Sequence, residues 1–234
     1  VRAMVIGLYL DLIPPKTLLN LQGKTYDFAA LIPLQASASF ELLGNLKTIL
    51  IGGAPIPVAL RKALAKKHLH CIETYGMTET LTHVATRPVS DPPVPFAAMP
   101  NIGIDMDADN CLVLTVPYIS KTAIRTNDVV ELVSEKSFTL LGRRDFVINS
   151  GGKKIFPEQL EEKLAPFLDI PFFLAGIPDE ALGEKLILVL AGNTKEKQEA
   201  LEMATQVLGA DKHHVPKEVV YVEAFVHTKS GKLD

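Results

Sequence analysis

Lys47–Glu73 reads KTILIGGAPIPVALRKALAKKHLHCIE, and this stretch decides the fold class. Lys47–Gly53 is an apolar strand closed by two glycines. Pro57–Lys67 then spaces its apolar residues at helical period, with proline near the first turn, and Leu69–Glu73 returns to a strand. A strand, a helix and a second strand in so short a span is α/β construction. The same alternation of apolar runs and helical periodicity extends from Tyr26 to about Val89.

Working outward, Asp91-Pro-Pro-Val-Pro95 predicts a loop, because proline at this density fits neither a helix interior nor a central strand. Strands without intervening helices follow at Cys111–Val116, Asp128–Val133 and Phe138–Leu141, which predicts a small β-barrel or sheet. Gly142-Arg-Arg-Asp145 marks a break. Beyond it the pattern predicts strand Phe146–Asn149, a turn at Gly151-Gly152, helix Pro157–Leu168, and strands near Phe172–Ala175 and Leu186–Ala191. Helix Lys195–Leu208 and strand Glu218–Glu223 complete it. The reading is therefore α/β and α+β, with one domain over 1–144 and a small α+β domain over 145–234.

The 234 residues are 47% hydrophobic and 22% charged with net charge −3, so the chain can bury real cores and is not a disordered segment. With no basic block there is no electrostatic reason to expect a nucleic-acid partner. Cys71 and Cys111 form no Cys-x-x-Cys pair, which fits the reducing cytoplasm. No run reaches the roughly 20 apolar residues of a membrane span. Val1–Ile13 is apolar but interrupted by Arg2 and Asp11 and has no basic leader, which predicts a buried strand or helix. The chain opens on Val and closes on Ser-Gly-Lys-Leu-Asp234, so it is expected to be a fragment.

Four segments carry chemistry. Gly52-Gly53-Ala54-Pro55 would let a flat ligand approach the backbone, or is simply a strand-to-helix turn. Thr74-Tyr75-Gly76-Met77-Thr78-Glu79-Thr80 places an aromatic face, hydroxyls and a carboxylate around one glycine. A tyrosine ring stacks on a purine, threonine bonds a phosphate oxygen, and glutamate holds Mg²⁺; a plain polar helix cap uses similar residues. Asp128, taken as the mouth of a strand, and Arg143 would bind the two hydroxyls of a ribose, where the bland alternative is a surface ion pair. Gly151-Gly152-Lys153-Lys154-Ile155, then Pro157-Glu158 and finally Ser230-Gly231-Lys232, place glycine-flanked lysines where a mobile loop would carry them to an anion. His68, His70 and Cys71 straddle a helix end and a strand, which does not predict a metal site, and His213-His214 reads as solvated.

The order Gly-Gly-Ala-Pro, Tyr-Gly-Met-Thr-Glu-Thr, Thr-x-Asp, Gly-Arg-x-Asp, Gly-Gly-Lys-Lys-Ile-x-Pro-Glu-x-Leu-Glu and Ser-Gly-Lys is similar to that of the adenylate-forming superfamily. That superfamily comprises acyl-CoA synthetases, peptide synthetases and luciferases, and the likeness covers about residues 47–234. Within it, Thr78–Ala85 and the Thr126-Asn127-Asp128 triplet resemble the o-succinylbenzoate–CoA ligases of menaquinone biosynthesis.

The resemblance implies an AMP-forming acid–thiol ligase using ATP, Mg²⁺, CoA and a small-molecule carboxylic acid, and it leaves a homodimer open. In it Gly53, Ala54 and Pro55 would line the adenine and acyl pocket, with Tyr75 stacked on adenine beside Gly76. Thr78 would meet the α-phosphate, and Glu79 would hold Mg²⁺. Asp128 and Arg143 would bind ribose, His83 would face the acyl pocket, and Gly151 and Gly152 would line the pantetheine tunnel, where a Cβ would obstruct. Asp145 would be the hinge and Lys232 the catalytic lysine. The superfamily more often has glycine where Asn127 stands; asparagine tolerates positive φ, so a turn there would survive. The Ser/Thr/Gly-rich phosphate loop has no match in this sequence, so the segment by itself is expected not to turn over ATP. Another acyl- or aryl-CoA synthetase, or a nucleotide-binding module without catalysis, remains the alternative.

Overall fold

The computed structural model describes residues 5–12, 18–21, 23–168, 170–192 and 197–225. Its internal contacts divide the chain into two compact units, Val1–Val94 and Pro95–Asp234.

In the first unit, β1 (Tyr26–Leu31), β2 (Leu46–Ile51) and β3 (Cys71–Gly76) run parallel in that order, and β4 (His83–Pro88) returns antiparallel to β3. Helix α1 (Pro33–Ala38) and a 3₁₀ turn, Phe40–Asn45, link β1 to β2; helix α2 (Val58–Lys66) links β2 to β3. The apolar strand expected over Lys47–Gly53 is β2, whose Ile49 and Ile51 are fully buried, and the expected helix is α2. Leu60, Arg61 and Leu64 form the buried stripe of α2. The helix ends where His68 takes a left-handed φ of 51°, so β3 begins at Cys71 rather than Leu69. Leu31, Ile49, Ile51, Leu60, Leu64 and Cys71 share one core.

The expectation for Val1–Ile13 does not hold where the structure describes it. Tyr9 is 96% and Leu12 82% exposed, and no core of this unit reaches them among the described residues.

In the second unit an antiparallel sheet runs β5 (Phe96–Ala98), β9 (Ser137–Arg143), β8 (Ile124–Ser134), β7 (Cys111–Thr115) and β6 (Gly103–Met106). β7, β8 and β9 are the short strands expected from the pattern, β5 and β6 are additional, and β8 is longer than expected. β8 starts at Ile124, so Asp128 lies inside a strand and not at its mouth. The ladder extends further because Arg125 pairs with Val113 and Asp128 with Arg143, polar positions the apolar pattern passes over. Bulges at Val129/Val130 and Leu132/Ser134 add local twist.

After a 3₁₀ turn, Arg144–Phe146, a second sheet joins β10 (Ile148–Ser150), β11 (Lys153–Ile155), β12 (Phe172–Asp179), β13 (Gly183–Ala191) and β14 (Glu218–Val222). β13 is central, between β10 and β12, with β14 parallel to it. Its unbroken apolar run Leu186–Leu190 is buried throughout. Helix α3 spans Pro157–Leu164, shorter than expected: Ala165 still has helical dihedrals, and Pro166, with no N–H to donate, ends the ladder. Helix α4 (Lys197–Leu208) contributes Ala200, Ala204 and Leu208 to the core that also holds Leu160, Leu164 and Leu188. Among the described residues no helix is long and apolar enough to cross a membrane.

Candidate functional site

The first cluster forms where β2 and β3 end. Period-two alternation along β3 buries Cys71, Glu73 and Tyr75 on one face and turns Ile72, Thr74 and Gly76 to the other. That second face opens on a pocket of about 220 Å³ lined by Gly53, Thr74, Gly76, Met77, Leu81, Thr82 and His83. Gly53 has φ 85°, a conformation that favours glycine. At Gly76 a Cβ would lie 2.5 Å from the Thr82 carbonyl oxygen and 2.7 Å from His83 Cα, so only glycine lets β3 and β4 close around the pocket.

Of the residues singled out from sequence, Gly53, Gly76 and His83 meet at this pocket. Ala54 and Pro55 are exposed beside Gly53 and are not in the lining. Tyr75 is 9% exposed on the Glu73 face of the strand, so its ring is not in the lining either. Thr78 and Glu79 are exposed in the 3₁₀ turn Thr78–Thr80. Thr80, the last residue of the Thr74–Thr80 motif, given no role of its own from the sequence, holds that turn. It is fully buried, its hydroxyl accepts from the Met77 backbone N–H at 3.0 Å, and it donates to the Thr82 carbonyl at 2.7 Å. Its partners are backbone atoms, so no residue pattern betrays it. Leu81 caps the turn at φ 56° and is 80% exposed at the pocket.

Beneath the opposite face of β3 lies a buried ionic cluster. Glu73 Oε2 accepts from Arg61 NH2 at 2.8 Å and from Arg87 Nε at 2.7 Å. Arg61 Nε and NH1 find no acceptor among the described residues.

The second cluster lies on β8 and β9. Asp128 is the cross-strand partner of Arg143, which brings the two expected ribose ligands together. Arg143 NH2 donates to Asp145 Oδ2 at 2.7 Å, and this bond holds the Asp145 carboxyl below the usual carboxylate range and lifts Arg143. Asn127 lies in extended β8 and is absent from the positive-φ residues, so the turn expected there is not formed. Its side chain instead accepts from Arg144 NH2 at 2.8 Å and donates to Asp145 Oδ2 at 3.3 Å.

Gly151 and Gly152 form the expected turn, with φ 57° and 78°. A Cβ on Gly152 would meet nothing within 4 Å, so within this chain backbone conformation rather than obstruction calls for glycine. His213 and His214 are half-buried and not freely solvated. A Cβ on Gly151 would sit 3.4 Å from His213 Cε1. The His213 backbone N–H, and after it the Lys153 ammonium, pull Asp211 down to about 2. His70 Nδ1 is 3.1 Å from Thr48 Oγ1, and Cys71 is buried, with its thiol pushed up to about 11. Lys232 lies outside the described residues.

Residues 15–114, which hold the whole first pocket, match the model of the AMP-binding enzyme family. This segment is similar to AMP-binding enzymes. The chain is 31% identical over 209 residues to a 2-succinylbenzoate–CoA ligase of Lactococcus lactis subsp. lactis, covering 81% of this chain and 46% of that protein. It thus spans about half the length of the curated relatives it matches. An acyl-CoA synthetase (AMP-forming)/AMP-acid ligase II-like protein from Dyadobacter fermentans is 30% identical at a TM-score of 0.51, covering 92% of this chain and 65% of that one. The o-succinylbenzoate CoA synthetase of Bacillus subtilis, solved with its acyl-adenylate intermediate, shares the fold at a TM-score of 0.73 and 20% identity. It covers 88% of this chain and 49% of its own. The mixed α/β architecture around the AMP-binding segment is therefore that of adenylate-forming enzymes.

Proposed function

We propose that this chain supplies nucleotide-facing and acyl-facing parts of an AMP-forming acid–CoA ligase, with o-succinylbenzoate as the acid. The observation that carries the reading is the convergence of Gly53, after β2, with Gly76 and His83, on β3 and β4, at one pocket inside the AMP-binding segment. The names of the relatives support the acid, and the Bacillus subtilis enzyme has also been solved with ATP and magnesium.

In this reading Gly53, Ala54 and Pro55 receive the base; the stacking expected of Tyr75 is not kept, because its ring is buried on the face of β3 opposite the pocket. Thr78 meets the α-phosphate from the exposed turn that Thr80 anchors. Asp128 accepts from the ribose hydroxyls while its cross-strand neighbour Arg143 donates to the same sugar. Glu79 is one exposed carboxylate beside Thr78, which suits Mg²⁺, since that ion takes one or two protein carboxylates with substrate phosphates; bound there, it would neutralise phosphate charge.

Attack of a carboxylate on the α-phosphorus brings two anions together, so the barrier is largely electrostatic, and Lys232 would stabilise the charge that develops. Adenylate formation releases pyrophosphate; the CoA thiol then attacks the acyl carbon, forming the thioester and releasing AMP. For the second step residues 145–234 turn about Asp145, against a body of 1–144, and bring the Gly151–Gly152 turn to pantetheine. The test is AMP release and pyrophosphate exchange by the full-length protein against a panel of acids. Faster turnover of o-succinylbenzoate than of benzoate or medium-chain fatty acids is expected. Equal rates refute the acid, and no exchange with any acid refutes the ligase.

A further inference from the structure

The segment Gly142–Asp145, which ends β9 and enters the 3₁₀ turn, is held by side chains to which the proposed chemistry gives no role: Asp109 meets Arg144 at 3.4 Å, and Glu158 and Asn127 make shorter bonds. From α3, Glu158 Oε1 accepts the Arg143 backbone N–H at 3.1 Å. Its other oxygen, Oε2, is buried, has no hydrogen-bond partner among the described residues, and lies 2.6 Å from where a Cβ on Gly142 would be. The carboxylate thus fills the space a side chain at 142 would take. From β8, Asn127 grips the next two residues, accepting from Arg144 and donating to Asp145. Glycine at 127 would make neither bond. A charge-assisted bond to a backbone amide is stronger than a neutral one.

We propose that Glu158 and Asn127 are positioning residues that clasp Gly142–Asp145 from opposite sides and set how readily the chain turns at Asp145. The clasp itself is a property of this fold; its effect on turnover rests on the ligase reading above. In this conformation Glu158 ties the first turn of α3 to β9, so any rotation at Asp145 that carries α3 away from β9 breaks the Arg143 bond. Asn127 adds resistance from the β8 side, because its amide joins Arg144 and Asp145 to a strand paired with β9.

Amide hydrogen exchange and the two half-reactions, measured on the full-length protein, test this. Glu158→Ala is expected to speed exchange at the Arg143 amide at least tenfold. Glu158→Gln keeps an acceptor and is expected to stay within threefold of wild type. Asn127→Gly leaves the Arg143 bond intact and guards against misfolding of the Ala variant. It is expected to shift the ratio of pyrophosphate exchange to thioester formation at least threefold with the KM for ATP unchanged. Arg143 exchange within twofold of wild type in Glu158→Ala overturns the clasp, as do half-reactions that fall in parallel in Asn127→Gly. If neither half-reaction occurs with any acid while Arg143 exchange still responds to Glu158→Ala, the clasp stands and the ligase reading falls.

Discussion

Replacing Glu73 by Gln is expected to cost far more than replacing Arg61 by Met, although both remove one charge from the same cluster. The side chains of Arg61, Glu73 and Arg87 are only 3%, 6% and 12% exposed. One carboxylate oxygen takes both guanidinium donors, so Glu73→Gln removes the counter-charge of buried Arg61 and of partly buried Arg87, which keeps its bond to the Val94 carbonyl. Breaking a buried pair by removing one partner costs about 3–5 kcal/mol. In Arg61→Met the Met thioether chain keeps much of the arginine stem's packing, and Arg87 keeps Glu73 paired. The Nε and NH1 donors that have no acceptor, each carrying about 1–3 kcal/mol of unmet desolvation, disappear with the charge. That relief offsets the lost 2.8 Å bond, leaving Arg61→Met within about 1 kcal/mol of wild type. The difference, about 3 kcal/mol, is roughly two decades in a local opening constant. Native-state amide exchange reads it at Ile49, bonded to the His70 carbonyl, and at Val89, bonded to the Cys71 carbonyl. Equal acceleration in the two variants, or a Glu73→Gln cost below about 1 kcal/mol, would refute the reasoning.

Gly76→Ala drives a Cβ into backbone atoms of Thr82 and His83, so it is expected to destabilise the chain by about 1–3 kcal/mol, read as a lowered Tm, and to abolish acyl-adenylate formation. Asp128→Ala is expected to raise the KM for ATP at least tenfold with a smaller change in kcat, because its role is to bind ribose; an unchanged KM would count against it. Asp211 is depressed to about 2, so its contribution is complete above the ordinary carboxylate value of 3.8 and is lost as pH falls from there through about 2. Asp211→Asn should remove that acid limb in exchange at the His213 amide, and identical acid profiles for the two proteins would contradict it. Cys71, buried with its thiol raised to about 11, should resist thiol reagents at pH 8 until denaturant is added.

The α/β character was legible because apolar residues mark the buried positions of β2, α2 and β13 directly. The full extent of β8 was not. It includes Arg125, Thr126, Asn127 and Asp128, whose polarity hides a strand that the pairing of Arg125 and Asp128 carries through. Asp128 and Arg143 were found as separate motifs, but nothing in their spacing shows that the register sets them face to face. The end of α3 was readable in principle from Pro166, which outweighs the apolar Phe167 and Leu168 that suggested a longer helix. Thr80 and Glu158 act through backbone atoms, and such partners leave no trace in residue type.

β3 separates two environments by parity alone: Cys71, Glu73 and Tyr75 on the core side, Thr74 and Gly76 toward the pocket. An insertion of a single residue inside β3, after Cys71, would exchange the faces of every position that follows it in the strand. Glu73 would leave its two arginines for the pocket, and Tyr75 would take the place that only glycine fits. Length variation among descendants of this sequence should therefore be excluded from β3 and admitted in the loop at Asp91–Pro95, where no strand parity is at stake.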